Sequence, residues 1–308
     1  MSSRFLKAFN ATDSKPLTLD GSLGTLLPEE AQNHPLWSTY TVIEDPQVIS
    51  NIHKSYLDNG AQIVQTSTYQ TSENKLKEFY PDVTYQDAIK KSIDISWEAI
   101  KQTTSTDQEK FIAGSVGPYG ASLANGAEYT GDYPGIDSEG LKKFHQVRLD
   151  TLCEDERVDL IGFETIPNIL EMEVCLQMMK GKDKPYYIAL SVNGENLADG
   201  SSIDQIKKIL DSNPDENLIA IGINCLGLSD SLRWLRKLAT ITEKKLIVYP
   251  NSGEKYDENR CWYVTNVNEM SWEEYLDILK GEFKGKLGII GGCCRTNEQH
   301  TKLISETL

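Results

Sequence analysis

The chain alternates between short apolar runs and longer stretches in which apolar residues recur at helical spacing. The short runs are nearly continuous in Val, Ile and Leu, which is typical of strands covered on both faces of a parallel sheet. They predict eight strands, at residues 17–20, 62–66, 111–115, 159–164, 186–191, 218–224, 246–249 and 287–292.

Most of these strands are followed by a stretch that predicts an amphipathic helix. The apolar stripes are Ile49, Ile52 and Tyr56; Ile89, Ile93, Trp97 and Ile100; Leu141, Phe144 and Leu152, interrupted by Arg148; Leu170, Val174 and Met178; Ile203, Ile206 and Leu210; Leu232, Leu235 and Leu238; and Trp272, Tyr275 and Leu279. Residues 297–308 predict one closing helix, with Leu303 and Ile304 facing inward.

Eight β units, each paired with an α unit, predict the α/β class and a single (β/α)8 barrel of the TIM type over residues 1–308. A doubly wound parallel sheet is the alternative. Against it, no Gly-x-Gly-x-x-Gly sequence follows the first strand, where a dinucleotide-binding sheet carries one. Two long connections, 21–44 and 118–140, predict lids or binding loops.

The formal net charge is −15, with acidic residues spread along the chain. This charge repels phosphate backbones and argues against nucleic acid as a partner. No apolar run approaches the roughly 18 residues that cross a bilayer, and residues 1–11 do not resemble a signal peptide. We therefore expect a cytoplasmic protein that acts on small molecules and keeps its six cysteines as thiols. The composition indicates no oligomeric state.

Polar side chains stand where the apolar strands end. In a (β/α)8 barrel, catalytic groups collect at the C-terminal ends of the strands. The polar residues placed there are Asp20, Thr66, Ser115, Glu164, Ser191, Asn224, Cys225, Asn251, Cys293 and Cys294. Such a set predicts an active site at the mouth of the barrel.

Three cysteines are the most specific members of this set. Cys225 ends the sixth strand, and Cys293 and Cys294 follow Gly291 and Gly292 at the end of the eighth. Three thiolates can hold Zn²⁺ with a fourth position open, and the glycines would let the backbone turn both sulfurs inward. Structural cysteines remain an alternative, as does a redox pair, although adjacent cysteines form a strained disulfide. The other cysteines and the histidines show no ligand spacing and are interpreted as structural or surface residues: Cys153, Cys175, Cys261, His34, His53, His145 and His300.

Longer motifs resemble the homocysteine S-methyltransferases, especially the type that uses S-methylmethionine or S-adenosylmethionine. They span nearly the whole chain: Leu-Asp-Gly at 19–21, Gln-Thr-Ser-Thr-Tyr-Gln at 65–70, Gly-Ser-Val-Gly-Pro at 114–118, Gly-Ala-Glu-Tyr-Thr-Gly-Asp-Tyr at 126–133, Ile-Gly-Phe-Glu-Thr-Ile-Pro at 161–167, Ile-Asn-Cys at 223–225, Tyr-Pro-Asn-Ser-Gly at 249–253 and Gly-Gly-Cys-Cys-Arg-Thr at 291–296.

This resemblance implies a zinc-containing barrel that methylates homocysteine to methionine. The implied zinc ligands are Cys225, Cys293 and Cys294. By the same resemblance, Asp20 and Glu164 hold the amino group of homocysteine, and Gly21 and Thr66 match positions whose backbone contacts the amino acid. The zinc-bound thiol of homocysteine would attack the methyl group of a sulfonium donor, with no further catalytic side chain.

Three departures from the family pattern affect the details. Ser22 stands where the family often has a second glycine, so the fit of that turn is open. Thr165 stands where the betaine-using branch has a tyrosine that cages the quaternary amine, which argues against betaine. A tyrosine near the second strand can fill the open zinc position in that branch; here Gln70 takes its place, next to Tyr69.

The donor side of the reaction rests on the second long loop. Glu128, Tyr129 and Asp132 lie in it, and we expect the loop to close over the donor, with its acids favouring a sulfonium. Two alternatives to the implied activity remain. One is a methyltransferase acting on selenocysteine or another thiol, and the other is a zinc-binding protein without turnover.

Overall fold

The computed structural model describes residues 4–11, 15–256, 262–264 and 270–308. The interpretation of Cys261 as a structural cysteine falls outside these residues. For the hairpin strands Glu254–Tyr256 and Trp262–Val264, only the backbone is described.

Eight parallel strands form the central sheet, and every predicted strand is present. Their bounds are β1 Leu17–Thr18, β2 Ile63–Gln65, β3 Phe111–Val116, β4 Leu160–Ile166, β5 Tyr186–Leu190, β6 Leu218–Asn224, β7 Lys245–Tyr249 and β8 Leu287–Ile290. Neighbours in the sheet follow chain order from β2 to β8, and β8 pairs with β1 in parallel. The predicted (β/α)8 barrel is therefore confirmed. The doubly wound alternative is wrong, because that fold reverses its strand order.

The seam between β1 and β2 nearly closes the barrel. One bridge joins Leu19 to Ile63. Backbone hydrogen bonds flank it, from Asp20 to Ile63 at 2.9 Å and from Gln62 to Thr18 at 2.7 Å. These bonds fix the end of β1 against β2, so Asp20 has a defined position at the rim.

Helices surround the barrel and cover its N-terminal end. Their bounds are α1 Arg4–Asn10, α2 Glu29–Asn33, α3 Ser38–Glu44, α4 Pro46–Asp58, α5 Glu73–Phe79, α6 Tyr85–Gln102, α7 Tyr119–Leu123, α8 Ser138–Glu154, α9 Ile169–Met179, α10 Ile203–Ser212, α11 Leu228–Ile241, α12 Trp272–Glu282 and α13 Glu298–Thr307. Short 3₁₀ turns occupy Gly24–Leu26 and Ala127–Tyr129. None of the helices in the described residues is long and apolar enough to cross a membrane.

Helix α1 covers the end of the barrel opposite the rim. The ring of Phe5 packs edge-on against Phe111 at the start of β3, with centroids 5.2 Å apart. Phe9 lies close to Gly288 at the start of β8. Both rings are buried, so the barrel interior is sealed at this end and ligands must enter from the strand C-termini.

One predicted helical stripe is confirmed only in part, because Val174 is buried as predicted and Leu170 is not. Leu170 is 37% exposed, whereas Met172, Cys175 and Met179 of α9 are fully buried. Apolar residues occupy most of the circumference of α9, so their spacing alone did not define the inward face. Cys175 belongs to this apolar layer, as its interpretation as a structural cysteine requires.

Candidate active site

A cavity of about 390 Å³ opens at the C-terminal rim of the barrel. This volume is in the range of small-molecule sites. The polar strand-end residues that line it are Asp20, Thr66, Ser115, Glu164, Asn224, Cys225, Cys293 and Cys294. Ser191 and Asn251, from the same predicted set, are buried and do not line the cavity.

The three cysteines of the predicted metal site converge at this rim. Their sulfurs all lie within 4.8 Å of one another, and the sulfurs of Cys293 and Cys294 are 4.0 Å apart. Cys225 adopts φ 57°, in the left-handed region, directly after β6. Strain at such a position is typical of functional sites and is retained when the surroundings hold the residue there.

The sulfurs of Cys225 and Cys293 touch in the arrangement of a disulfide, with Cα atoms 5.5 Å apart. The expectation that all six cysteines are thiols is therefore wrong for this pair in the structure. The physical reason is the convergence itself, which brings two sulfurs within bonding reach. As separate thiolates, the three sulfurs suit one tetrahedral metal ion, whose sulfur ligands lie about 3.8 Å apart.

Gly291 and Gly292 allow close packing, and neither forms an unusual backbone turn. Neither has a positive φ. A Cβ on Gly291 would lie 2.7 Å from Leu19 Cβ, and one on Gly292 would lie 2.3 Å from Thr296 Oγ1. The predicted reason for the glycines was therefore wrong. They allow β8 and the segment after it to approach β1 and Thr296, so that the Gly292 backbone N donates to the Asp20 carbonyl at 3.2 Å.

Asp20 is a buried carboxylate with an unfilled hydrogen-bonding position. Its Oδ2 accepts a hydrogen bond from the backbone N of Gln65 at 3.0 Å, while its buried Oδ1 has no partner among the described residues. Burial raises its pKa, and a bound cation would offset that cost. Oδ1 of Asp20 is thus a buried acceptor of the cavity without a hydrogen-bond donor among the described residues.

His53 supports Asp20 from behind, which the sequence interpretation missed. Its Nδ1 lies 3.7 Å from Asp20 Oδ2, and the ring is 1% exposed. The side chain belongs to the buried face of α4, four residues after Ile49. That helical spacing was the signal that could have placed His53 inward, behind the strand that Asp20 ends.

Glu164 is the second buried carboxylate of the rim. It accepts a hydrogen bond from the Ser115 hydroxyl. Burial, with a smaller contribution from the charge of Asp20, raises its pKa to about 7. The register of β4 shifts between Phe163 and Ile166, and this irregularity directs Glu164 into the cavity.

The turn after β1 accommodates Ser22 without strain. The Ser22 hydroxyl accepts a hydrogen bond from the Thr25 hydroxyl at 2.7 Å, and its carbonyl accepts one from Tyr56 at 2.8 Å. Gly21 lies against Tyr56, where a Cβ would come within 2.7 Å of the ring. Ser22 therefore replaces the family's frequent second glycine through local hydrogen bonds. Gly21 and Thr66 both line the cavity.

Both long loops contribute to the cavity, as predicted for binding loops. The first supplies Trp37, which the sequence interpretation missed and which has φ 47°. Its ring lies 6.4 Å from that of Tyr69, edge to face. The second loop supplies Glu128 and Tyr129, while Asp132 is exposed and does not line the cavity.

The cavity is acidic. Asp20, Glu128 and Glu164 line it together with the three cysteine sulfurs, and none of the described lining residues is Lys or Arg. Burial raises the pKa of the Cys294 thiol to about 11, so this thiol needs a nearby cation to ionise. The charge balance favours cationic ligands and a metal ion over anions.

A buried polar network holds the cavity loops in place. Arg148, fully buried on α8, donates to the carbonyls of Thr68, Tyr69 and Gly117 at 3.1, 2.9 and 2.8 Å. On sequence grounds Arg148 only interrupted an apolar stripe. In the structure it anchors the loops after β2 and β3.

Comparison with known proteins adds to this geometry. The family model described as Homocysteine S-methyltransferase matches residues 17–308. Homocysteine S-methyltransferase 1 of Brassica oleracea var. italica is 34% identical over 306 residues, which cover 94% of this chain and 92% of that protein. The selenocysteine methyltransferase of Astragalus bisulcatus is 32% identical and covers 96% of this chain and 93% of that protein.

A solved structure shares the architecture. The metallated form of the homocysteine methyltransferase MmuM from Escherichia coli has a TM-score of 0.82 and 28% sequence identity, covering 98% of this chain and 99% of that one.

Proposed function

The chain belongs to the homocysteine S-methyltransferase family and is a methyltransferase, and we propose that it transfers a methyl group from a sulfonium donor to the thiol of homocysteine, forming methionine. One observation carries the proposal. The same cavity contains three sulfurs within 4.8 Å of one another and two buried carboxylates, at Asp20 and Glu164. A substrate with both a thiol and an ammonium group matches these two features.

The two carboxylates would bind the amino group of homocysteine. Asp20 offers an unpartnered Oδ1, and Glu164 lies close enough for the Asp20 charge to raise its pKa. An ammonium group placed between them relieves this repulsion and restores charge-assisted hydrogen bonds. Binding at this end would orient the substrate thiol toward the cysteine cluster.

The cysteine cluster suits a metal ion, which we propose is Zn²⁺. The proposed ligands are Cys225, Cys293 and Cys294, because a set of three thiolates favours zinc and leaves a further position for substrate. When bound, such an ion lowers the pKa of a coordinated thiol and supplies a thiolate nucleophile at neutral pH. We further propose that the protein works in a reducing compartment such as the cytoplasm, because three separate thiols are required.

Methyl transfer requires no general acid. The homocysteine sulfur forms a bond to the methyl carbon, the bond from that carbon to the donor sulfur breaks, and its electron pair leaves on the donor sulfur as a neutral thioether. The contribution of the protein is alignment, since well-oriented reactants save roughly 7–11 kcal/mol of barrier. The buried supports of Asp20 and Glu164 provide that alignment.

The walls of the cavity favour a cationic donor. Trp37, Tyr69 and Tyr129 line it, and aromatic faces attract cations. Thr165 lines it as well, where the betaine-using branch carries a tyrosine. We therefore propose S-methylmethionine or S-adenosylmethionine as donor in preference to betaine.

Selenocysteine is a second candidate acceptor. The Astragalus bisulcatus relative is named a selenocysteine methyltransferase and covers 96% of this chain. A selenol and an ammonium group on one small molecule would use the same two features of the cavity. The ratio of kcat/KM values for homocysteine and selenocysteine decides between these acceptors.

The test of the proposal supplies homocysteine deuterated in its carbon chain together with S-methylmethionine, S-adenosylmethionine or betaine. The label is needed because S-methylmethionine itself leaves as methionine. Labelled methionine from either sulfonium is the expected result. Tight metal binding without labelled methionine from any donor would instead support a zinc-binding protein without turnover.

A further inference from the structure

Glu128 is an acidic side chain of the cavity that binding of homocysteine leaves unused. Its Oε2 is buried and has no hydrogen-bond partner in the described part of the chain. It forms no ion pair with a described Lys or Arg, although Lys75 is near enough to lower its pKa while burial raises it. A buried, unpaired carboxylate oxygen is costly unless a ligand completes it.

The position of Glu128 is fixed by its surroundings. It lies in the 3₁₀ turn Ala127–Tyr129, between two segments that Glu171 holds. Glu171 accepts a hydrogen bond from the backbone N of Tyr119 at 2.7 Å and from the Tyr133 hydroxyl at 2.6 Å. The turn that carries Glu128 is therefore fixed in position, and this fixed position leaves its Oε2 without a partner.

Other roles for Glu128 fit less well. It is not part of the metal-binding group, which among the described residues consists of the three cysteines. The ammonium site is already formed by Asp20 and Glu164, two carboxyls close enough to interact. Tyr69 lines the same cavity, and the charges of both Glu128 and Glu164 add to the effect of burial in raising its pKa. Glu128 lies in the loop after β3, whereas Asp20 and Glu164 stand near the ends of β1 and β4, so Glu128 comes from a different part of the cavity wall.

We propose that the Glu128 carboxylate is the counter-charge for the sulfonium centre of the methyl donor, and that it determines specificity for cationic donors. The inference rests on the function proposed above. The sulfonium must lie beside the homocysteine sulfur during transfer, and therefore next to the cysteine cluster. Glu128 lines the same cavity as Cys225, Cys293 and Cys294.

This role has a kinetic signature. The donor loses its positive charge during transfer, so a carboxylate stabilises the bound donor more than the transition state. Glu128→Gln should therefore raise the KM of S-methylmethionine roughly tenfold, as expected for the loss of one charge-assisted interaction, without lowering kcat. The KM of homocysteine should stay unchanged, because Asp20 and Glu164 are intact.

The experiment compares Glu128→Gln with Asp132→Asn in the metal-loaded enzyme. Asp132→Asn removes the same charge from the same loop, but Asp132 is exposed and outside the cavity, so its KM values should match those of the wild type. The inhibition constant of methionine against the donor is also measured. Methionine has the ammonium group but a neutral sulfur, so Glu128→Gln should leave this constant unchanged.

Three results would overturn the inference. They are an unchanged donor KM in Glu128→Gln, an equal rise in Asp132→Asn, and an equal rise in the inhibition constant of methionine, which would assign Glu128 to an ammonium group. The homocysteine KM and the melting temperature check folding, and Glu128→Met is the second variant if Gln perturbs either. A wild-type enzyme that forms no labelled methionine from any sulfonium would refute the proposed function itself, which is a separate outcome.

Discussion

Asn224 hydrogen-bonds Thr165 through both atoms of its side-chain amide. Its Oδ1 accepts from the Thr165 backbone N at 3.0 Å, and its Nδ2 donates to the Thr165 hydroxyl at 2.8 Å. Thr165 has φ 56°, a left-handed conformation that costs a residue with a Cβ roughly 1–2 kcal/mol. Asn224, at the end of β6, thus stabilises the strained Thr165, which follows Glu164 in β4.

Asn224→Ala should weaken both stability and homocysteine binding. We expect the free energy of unfolding to fall by about 2–3 kcal/mol, because two buried hydrogen bonds are lost. The KM of homocysteine should rise, because Glu164 is no longer directed into the cavity. Denaturant unfolding and steady-state kinetics measure the two effects.

Asn217→Ala is the matched control at the opposite end of β6. Asn217 Nδ2 donates to the Lys182 carbonyl at 2.9 Å, far from the rim. This variant should lose about 1 kcal/mol and keep the homocysteine KM. Equal KM values in both variants would show that the contact between Asn224 and Thr165 does not position Glu164.

The raised pKa of Glu164 should make stability depend on pH. Its pKa is about 7 in the folded protein, mainly because of burial, and 4.5 in the reference state. Between these values the folded chain retains a proton that the unfolded chain has released. The stabilisation is complete below 4.5 and is lost as the pH rises to about 7, a loss of about 3 kcal/mol.

Urea unfolding on both sides of this window tests the prediction. Glu164→Gln should flatten this part of the pH dependence, because Gln does not titrate. Binding of methionine below the pKa should release a proton, since its ammonium group favours the ionised carboxylate. An unchanged pH slope in Glu164→Gln would contradict the burial argument.

Arg148→Met should be strongly destabilising, by about 3–5 kcal/mol. It removes the cation that satisfies three loop carbonyls and that also contacts His145, the hydrogen-bond partner of the fully buried Glu171. Arg236→Ala is the control, because the ion pair of Arg236 with Glu282 is exposed and contributes at most about 1 kcal/mol. Similar losses in the two variants, measured by chemical denaturation, would refute the anchoring role of Arg148.

Two glycine-to-alanine substitutions should have opposite signs. In Gly291→Ala the new Cβ would meet Leu19 Cβ at 2.7 Å and the Asp20 carbonyl at 2.8 Å, so we expect a loss of about 1–3 kcal/mol from overpacking. Gly281 lies in α12 with open space around it, so Gly281→Ala should stabilise by about 0.5–1 kcal/mol. Thermal unfolding measures both, and a neutral Gly291→Ala would contradict the close approach of β8 to β1.

The barrel could be predicted from the sequence because each strand is a short and nearly continuous run of apolar residues. Residues 218–224 are all buried in β6, and such runs occur in few other settings. The convergence of Cys225 with Cys293 and Cys294 followed from strand order, since the ends of β6 and β8 share one rim with a single strand between them.

The remaining features depend on contacts that no local pattern encodes. The contact of Trp37 with Tyr69, the interaction of His53 with Asp20 and the burial of Arg148 all involve partners distant in the chain. The packing role of Gly291 was equally invisible, because a glycine is compatible with both a special backbone and a close approach. Long-range contacts determine which of these two roles a glycine has.

The most direct test of the central claim is X-ray absorption at the metal edge of the reduced, zinc-loaded protein, before and after selenohomocysteine is added. We predict three cysteine sulfurs around the metal in the free protein and a selenium neighbour once the substrate analogue binds. Cys294→Ser should lose one sulfur from this shell. A spectrum without selenium, or an unchanged sulfur shell in Cys294→Ser, would contradict the claim that these three cysteines present the substrate thiol to the donor.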